Sequence, residues 1–366
     1  MLARMPLQLL TEPVACRHAG GTVAISDMND NPYPTTGPLL ADVAREYLDD
    51  LQHRVTDGHF RNVRGRLGRV LEALDAKLVE DLKALDVLRY RNQVRTDGAS
   101  NRTANLFVDG LRAMLTWAVE CGVIEHNPIG RIRRLPEGAG HQRCVRRALS
   151  DQEITRFLSA ADEDDRHAAA LHEREGLGPG GRHSLGPRVP QAPLWRAFLE
   201  TGARWSELTR TRWRDLEDEG CILLLRAETT KSRRKRVVPV GPGLHRVLLE
   251  LRPIHAAARG RAHVPEDPIF LTPEGAIWGR PTSNAMRIFN RTLVKAGIKR
   301  VDVDGRKVDI HALRHTFGSR LARRGAGLVQ VQRLLGHSDP KLTAQVYTHL
   351  DVEDLRRTVH RVFGDA

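Results

Sequence analysis

The sequence predicts a mainly α-helical fold with a small antiparallel β-sheet, arranged as two domains. From position 38 onward, apolar residues recur at intervals of three and four, which is the periodicity of an amphipathic helix. Two short apolar segments beyond position 220 flank a run of basic residues, which is the pattern of a β-hairpin. A basic segment with Gly and Pro separates the two regions, so we predict a helical domain, a linker and a larger α+β domain.

Positive charge exceeds negative charge in this chain: 58 Lys and Arg residues against 45 Asp and Glu residues give a formal net charge of +13. Such a surplus attracts polyanions, above all nucleic acids. A basic surface that serves only solubility is the simpler alternative. No apolar run approaches the roughly 20 residues that span a bilayer, and the apolar start is too short for a signal peptide. We therefore expect a cytoplasmic, nucleoid-associated protein.

The four cysteines are spread along the chain, and none belongs to a CxxC motif or a Cys/His pair. We expect reduced and mostly buried thiols, as is usual in the cytoplasm. The four are Cys16, Cys121, Cys144 and Cys221.

Residues 1–37 lack a sustained periodicity, and the turn-forming segment 29–34 blocks a helix. We predict a flexible N-terminal arm, or residues upstream of the true start, for which Met28 is the alternative. Four helices with short loops then make residues 38–130 one small all-helical domain. Ser100 is a suitable N-cap for the fourth helix, and Gly122 stops it. The predicted helices cover about 40–51, 60–74, 79–95 and 101–121.

Residues 131–147 form the predicted linker, whose charges either follow a DNA backbone or belong to a plain tether. The second predicted domain covers residues 148–366. A helix begins there at Ser150, which stands at capping-box spacing from Glu153. Residues 161–193 are predicted to be an exposed loop insertion, because they are first acidic and then rich in Gly, Pro and His.

One hairpin and several helices fill the rest of the second domain. A helix over 195–208 contains Arg204, and strands over 221–225 and 237–240 place Lys231 near the tip of the hairpin. Further helices are predicted at 244–251, 282–296, 311–323, 328–335, 340–347 and 352–362.

The last helices carry residue types that handle phosphate. His311 and Arg314 stand three positions apart and share one helix face, and His337 and Tyr347 follow on later segments. An arginine fork fits two phosphate oxygens, a histidine exchanges a proton near neutral pH, and a tyrosine hydroxyl can form a covalent intermediate. Each residue alone has a plainer explanation in packing or surface charge. A zinc pair of His311 with His315 is disfavoured, because no HExxH motif surrounds it.

Four segments, taken in order, make a specific pattern. Together with the intervening Lys231, they resemble the conserved boxes of the tyrosine recombinase (phage integrase) family. The segments are 201–208 around Arg204, 311–317, 334–338 and 346–350. The helical region 38–130 also resembles the core-binding (SAM-like) domain of that family, and residues 148–366 resemble its catalytic domain.

The resemblance implies a catalytic set of Arg204, Lys231, His311, Arg314, His337 and Tyr347. The two arginines would clamp the scissile phosphate and stabilise the charge that develops on it, and His337 would donate a hydrogen bond to the same phosphate. The resemblance implies neither a metal ion nor a cofactor, because the arginines take the place of a metal.

The three remaining side chains would provide the nucleophile and transfer protons. Tyr347 would attack phosphorus and form a 3′-phosphotyrosine, Lys231 would protonate the leaving 5′ oxygen, and His311 would act as general base. Two positions depart from the family pattern: Ala312 replaces an acidic residue, and Trp205 is bulkier than the usual neighbour of the first arginine.

The implied function is site-specific DNA recombination, serving a mobile element. Alternatives are a Xer-type chromosome-dimer resolvase, a type IB topoisomerase and a non-catalytic DNA-binding protein of the same fold. The implied partners are double-stranded DNA, held in a two-domain clamp, three further copies of the chain in a tetramer on paired sites, and accessory DNA-bending or directionality factors. Asn101, Arg102, Asn105 and Arg112 on the fourth helix are candidates for DNA contacts or a merely solvated polar face. The apolar stripe of the last helix would dock on a neighbouring protomer or pack in its own chain.

Overall fold

The computed structural model describes residues 37–138, 145–175, 188–217, 219, 221–230, 234–279, 283–347 and 352–364. The arm predicted at 1–37 lies outside these ranges except for its last residue. Two compact units divide between Arg143 and Cys144. As predicted, the fold is mainly helical with one small antiparallel sheet. None of the described helices is both long and apolar enough to cross a membrane.

The first unit consists of α1 (Leu40–Arg54), α2 (Asp57–Ala73), α3 (Ala84–Thr96) and α4 (Asn101–Glu120). Helix α4 contacts the other three and buries apolar side chains along most of its length. The Ser100 hydroxyl accepts the N–H of Thr103 at 3.1 Å, which confirms the predicted N-cap. Helix α3 begins later than predicted, because the Asp81 carboxylate accepts the N–H of Leu78 and the chain forms a turn there.

The second unit begins with α5 (Asp151–Glu175), α6 (Ala192–Thr201) and α7 (Trp205–Leu208). A three-stranded sheet of β1 (Leu216–Glu217), β2 (Ile222–Leu225) and β3 (Arg236–Pro239) follows. The remaining helices are α8 (Pro242–Arg259), α9 (Ser283–Lys295), α10 (Ile310–Arg323), α11 (Leu328–Leu335), α12 (Pro340–Tyr347) and α13 (Val352–Phe363).

The sheet is an antiparallel meander in the order β1-β2-β3. Leu223 of β2 lies opposite Leu216 on one side and Val238 on the other, and both Leu223 and Val238 are completely buried. The hairpin β2–β3 was predicted, whereas β1 was missed because two residues carry no alternation pattern.

An aromatic cluster fills the core of the second unit. Trp195 and Phe198 of α6 are almost fully buried, and the Trp195 ring lies 5.5 Å from that of Phe289 and 6.4 Å from that of Phe157. Helix α10 packs on α6, so the helix that carries Arg314 rests directly on this rigid cluster.

The prediction of a loop insertion over 161–193 is wrong in its first part, because α5 continues to Glu175. Two of the acidic residues that suggested an exposed loop form hydrogen bonds or ion pairs within this unit. The Asp165 carboxylate accepts two N–H groups at the start of α6 at 2.7 Å, and Asp164 pairs with two cations of α9. Residues 176–187 lie outside the described ranges.

The prediction of mostly buried thiols is wrong for Cys121, which is exposed where α4 ends. Cys221 is partly buried and lies just before β2. Both thiols are free. Cys16 and Cys144 fall outside the described residues.

Candidate active site

Helix α10 carries Arg314, whose side chain is held from two sides. The residue is 3 % exposed. One terminal nitrogen donates to the Gly202 carbonyl at 2.6 Å, and the other donates to the Leu335 carbonyl at 2.5 Å. Burial, together with the nearby guanidinium groups of Arg204 and Arg236, lowers the pKa of Arg314 to about 9. Three arginines therefore lie close enough to repel one another.

Gly202 allows the approach of α6 to this arginine. Its φ of 59° lies in the left-handed region. A Cβ at this position would lie 2.3 Å from Cδ1 of Phe317 on α10. Only glycine therefore ends α6 here and presents its carbonyl to Arg314.

The prediction that Arg204 lies inside a continuous helix over 195–208 is wrong. The helix ends before Gly202, where the chain turns, and a new helix, α7, begins at Trp205. Arg204 is the N-cap residue of α7, and its side chain is 26 % exposed. Its guanidinium donates to Glu207 Oε1 at 2.6 Å, and its backbone N–H donates to Glu207 Oε2 at 2.9 Å. Glu207 thus holds both the backbone and the guanidinium of Arg204, while part of the side chain stays accessible to solvent.

Glu207 and Arg236 are two site residues that sequence reasoning missed. Glu207 is 1 % exposed, and its Oε2 accepts from Arg236 at 2.7 Å. Burial alone would raise the pKa of Glu207, but the guanidinium groups of Arg236 and Arg204 bring that pKa below its ordinary value. Glu207 is therefore an anion shared by two arginines.

His337 follows the left-handed Gly336 that ends α11. Its Nδ1 and the Thr343 hydroxyl form a hydrogen bond of 2.9 Å. Partial burial lowers the pKa of His337 to about 4, and the positive field of Arg314 and Arg204 adds to that effect. The ring is therefore neutral at pH 7 and keeps one N–H donor and one acceptor.

His311 lies in the first turn of α10, after the N-cap Asp309. Desolvation lowers the pKa of His311 to about 4, followed by the charges of Arg146 and Arg314. The residue nevertheless lies exposed at the start of α10, within reach of these cations. A neutral imidazole in this place can accept a proton.

Tyr347 ends α12, and the structure does not bring its hydroxyl into hydrogen-bonding contact with the four other described residues of the predicted set. The hydroxyl donates to the Ala326 carbonyl at 2.6 Å, in the turn between α10 and α11. Burial raises the pKa of Tyr347. Among the described residues, no hydrogen bond joins this hydroxyl to the arginines or histidines of the site.

Lys231 itself lies outside the described residues. It belongs to the connection between β2 and β3. The last residue pair of these two strands before the connection is Leu225 with Arg236. The Thr230 hydroxyl bonds the N–H and the carbonyl of Arg234 at 3.1 and 3.0 Å and closes the base of this turn.

Three of the four polar side chains predicted on this face of α4 bond within their own unit, so they form neither a DNA-contacting face nor a merely solvated one. Asn105 is 1 % exposed. Its amide oxygen accepts the N–H of Leu135 at 2.9 Å, and its amide nitrogen donates to the Leu135 carbonyl at 2.9 Å. Asn101 and Arg112 donate to further carbonyls of the same segment. These side chains attach the linker segment 132–137 to α4, and only Arg102 remains largely exposed.

Basic side chains that the sequence reading passed over lie on α2. Arg61, Arg64 and Arg69 are exposed, and none forms an ion pair within the described part of the chain. Gly65 and Gly68 lie among them, and a Cβ at either position would meet nothing within 4 Å. No cluster of three or more metal-ligating side chains occurs among the described residues.

Two family models match this chain. That of the phage integrase family covers residues 189–354, and that of the phage integrase central domain covers residues 40–135. A tyrosine recombinase XerC of Pseudomonas fluorescens is 28 % identical over 293 residues, which is 79 % of this chain and 84 % of the relative. A XerC of Xanthomonas campestris pv. campestris (strain B100) is 27 % identical over 337 residues, 89 % of this chain and 91 % of the relative.

The fold is shared by solved structures, among them two integrases. The Tn1549 transposon integrase in complex with transposon right end DNA superposes with a TM-score of 0.61 at 20 % identity, over 87 % of this chain and 99 % of that one. A lambda integrase dimer bound to a COC′ core site gives 0.64 at 17 % identity, over 85 % of this chain and 78 % of that one.

Proposed function

The chain belongs to the phage integrase family of tyrosine recombinases, and we propose that it cleaves and rejoins DNA at specific sites through a phosphotyrosine on Tyr347. The observation that carries this proposal is the cationic cluster of Arg204 and Arg314 beside two neutral histidines. Such a group of fixed donors suits a phosphate on which negative charge develops.

The proposed reaction conserves the energy of the phosphodiester bond. The Tyr347 oxygen attacks phosphorus and loses its proton to His311, while the 5′ oxygen leaves and takes a proton from Lys231. The product is a 3′-phosphotyrosine and a free 5′ hydroxyl. Attack by the 5′ hydroxyl of another strand reverses these steps and rejoins the DNA, so no nucleotide cofactor is consumed.

The same proposal requires Tyr347 to leave the Ala326 carbonyl before it reacts. The hydroxyl bond to that carbonyl is 2.6 Å long and partly buried, so the nucleophile in this structure is not aimed at the arginines. We propose that binding of DNA moves α12 and delivers the phenol to the phosphate.

For the first unit, we propose that α2 faces the DNA. Its three unpaired arginines are suited to phosphate contacts. A glycine inside a helix costs about 1 kcal/mol relative to alanine, and neither Gly65 nor Gly68 is required by a neighbour in the chain. Both glycines fit a helix that another molecule must approach closely.

We further propose a tetramer on paired recombination sites and a mobile element as the biological setting. The similarity to XerC proteins, which extends over 79 % and 89 % of this chain in the two relatives, favours a chromosome-dimer resolvase as the second candidate. Mobile-element recombinases and chromosome-dimer resolvases act on different DNA sites. Recombination between the ends of a mobile element supports the first, and recombination between two copies of one chromosomal site supports the second.

Covalent trapping tests the proposed function. On a nicked duplex whose cleaved fragment diffuses away, wild-type protein should accumulate as a covalent DNA adduct on a denaturing gel. Tyr347→Phe should lose the adduct completely and retain DNA binding in a gel-shift assay. A covalent adduct with Tyr347→Phe contradicts the assignment, and site-independent relaxation of supercoiled plasmid by the monomer would favour a topoisomerase instead.

A further inference from the structure

Arg236 is a buried arginine to which the reaction above assigns no role. It lies at the start of β3, opposite Leu225, and its side chain is 8 % exposed. Residues of β3 alternate between buried and exposed, and Arg236 shares the buried side with Val238. An apolar residue there would avoid the cost of burying a charge.

Two hydrogen bonds connect Arg236 to both arms of the site. One terminal nitrogen donates to Glu207 Oε2 at 2.7 Å, and the other donates to the Leu334 carbonyl at the end of α11. Glu207 in turn holds both the guanidinium and the backbone N–H of Arg204. A single side chain thus joins β3 to the base of Arg204 and to α11.

A close approach at Gly336 adds a third connection. A Cβ on Gly336 would lie 3.0 Å from Cδ and 3.1 Å from Nε of Arg236. The Arg236 side chain therefore rests on the peptide that leads directly into His337.

Resting on the proposed recombinase function, we propose that Arg236 is a positioning residue that fixes Arg204 and His337 in one geometry around the scissile phosphate. Both of its terminal nitrogens are already bonded within the protein, so it acts through these neighbours. A buried ion pair contributes little net stability, because desolvation offsets the attraction. The role of the Arg236–Glu207 pair is therefore to fix the positions of the groups that it connects.

The experiment compares two variants on two substrates. Arg236→Gln removes the charge, and Arg236→Lys keeps the charge but cannot donate to both partners. The substrates are nicked duplexes that carry the crossover sequence mapped for the wild-type protein. One has a normal scissile phosphate, and the other has a methylphosphonate there, which lacks one negative oxygen and needs less cationic stabilisation. The readout is the rate of covalent adduct formation in a single turnover with saturating protein.

Arg226→Gln is the matched control. Arg226 follows β2, is 15 % exposed and pairs with the buried Asp215 at 3.1 Å, so its loss also breaks a buried ion pair of this region. We expect it to retain the wild-type cleavage rate once it is shown to be folded by circular dichroism.

For both Arg236 variants we expect roughly a 10²-fold loss on the normal phosphate, on the scale of one oriented donor, and less than about 10-fold on the methylphosphonate. Equal losses on both substrates, or no loss in a folded variant, overturn the inference. If Arg236→Gln fails to fold, Arg236→Lys decides. Absence of any adduct with wild-type protein would instead refute the proposed function.

Discussion

Arg314 illustrates how single contacts prepare the site. Two of the five donors that a guanidinium offers are used on the carbonyls of Gly202 and Leu335. These bonds hold the guanidinium in place before DNA arrives, so little reorganisation is needed during the reaction.

Arg314→Lys tests that role. A lysine has one donor group and cannot reach two carbonyls and a phosphate together. We expect the single-turnover rate of adduct formation to fall by roughly 10²- to 10³-fold, while gel-shift affinity for DNA stays within a few-fold of wild type. A lysine variant that cleaves at the wild-type rate would show that positive charge alone is sufficient.

His255 is a second residue with a measurable consequence. It is 2 % exposed, stacks edge-on against Trp213, and has no hydrogen-bond partner for either ring nitrogen among the described residues. Burial lowers the pKa of His255 to about 4, the charges of Arg259 and His263 act in the same direction, and Asp267 opposes them. The native state therefore holds a neutral ring.

The pH dependence of stability follows from that pKa. The folded pKa of about 4 lies below the ordinary histidine pKa of 6.5, so the unfolded chain binds the proton first as pH falls. The contribution of His255 is complete above pH 6.5 and is lost between pH 6.5 and 4, by an amount on the order of 3 kcal/mol. Urea unfolding at several pH values should show a smaller loss in His255→Leu than in wild type. Parallel losses in the two proteins would show that His255 titrates normally.

At the scale of helices, α2 gives a prediction in which stability and function move in opposite directions. Gly65→Ala and Gly68→Ala add methyl groups that meet nothing within 4 Å. Each should stabilise the helix by up to about 1 kcal/mol. If DNA approaches this surface closely, the same variants should bind DNA at least several-fold more weakly. Thermal unfolding and gel-shift titration of the same samples separate the two effects, and unchanged affinity would exclude close contact at these positions.

Most helices could be predicted, because their apolar periodicity and end signals agree. α11 and α12 have the predicted limits, and the Asp339 carboxylate accepts the N–H of Lys341 ahead of α12. The N-cap at Ser100 and the capping box of Ser150 with Glu153 were also correct. These signals are local, so a single sequence contains them.

The errors have a common physical origin in contacts between distant segments. The acidic run of α5 resembled a loop in the sequence, whereas in the structure its carboxylates bind groups of α6 and α9. Asn105 resembled a surface residue because its partner Leu135 lies 30 positions away. Arg236 was taken as part of a basic hairpin run, and nothing in the sequence pairs it with Glu207. A buried polar residue is recognised only when its partner is known.

At the scale of the whole molecule, each unit has its own core. In the first unit, fully buried side chains such as Leu67, Leu111 and Leu115 form one cluster, to which Ile129 and the partly buried Ile132 also belong. The linker segment 132–137 is therefore part of this unit rather than a free tether. The domain boundary predicted at residue 130 and the unit that ends at Arg143 differ by residues 131–143, which include this segment.

Truncation distinguishes the two boundaries. A fragment of residues 37–138 should fold cooperatively by urea denaturation. A fragment of residues 37–130 should be less stable by about 2–4 kcal/mol, because the buried Asn105 amide and the Arg112 guanidinium lose their carbonyl partners. Arg102→Ala in the longer fragment is the control, since its side chain is 78 % exposed, and it should change little. Equal stability of the two fragments would mean that the segment only rests on α4.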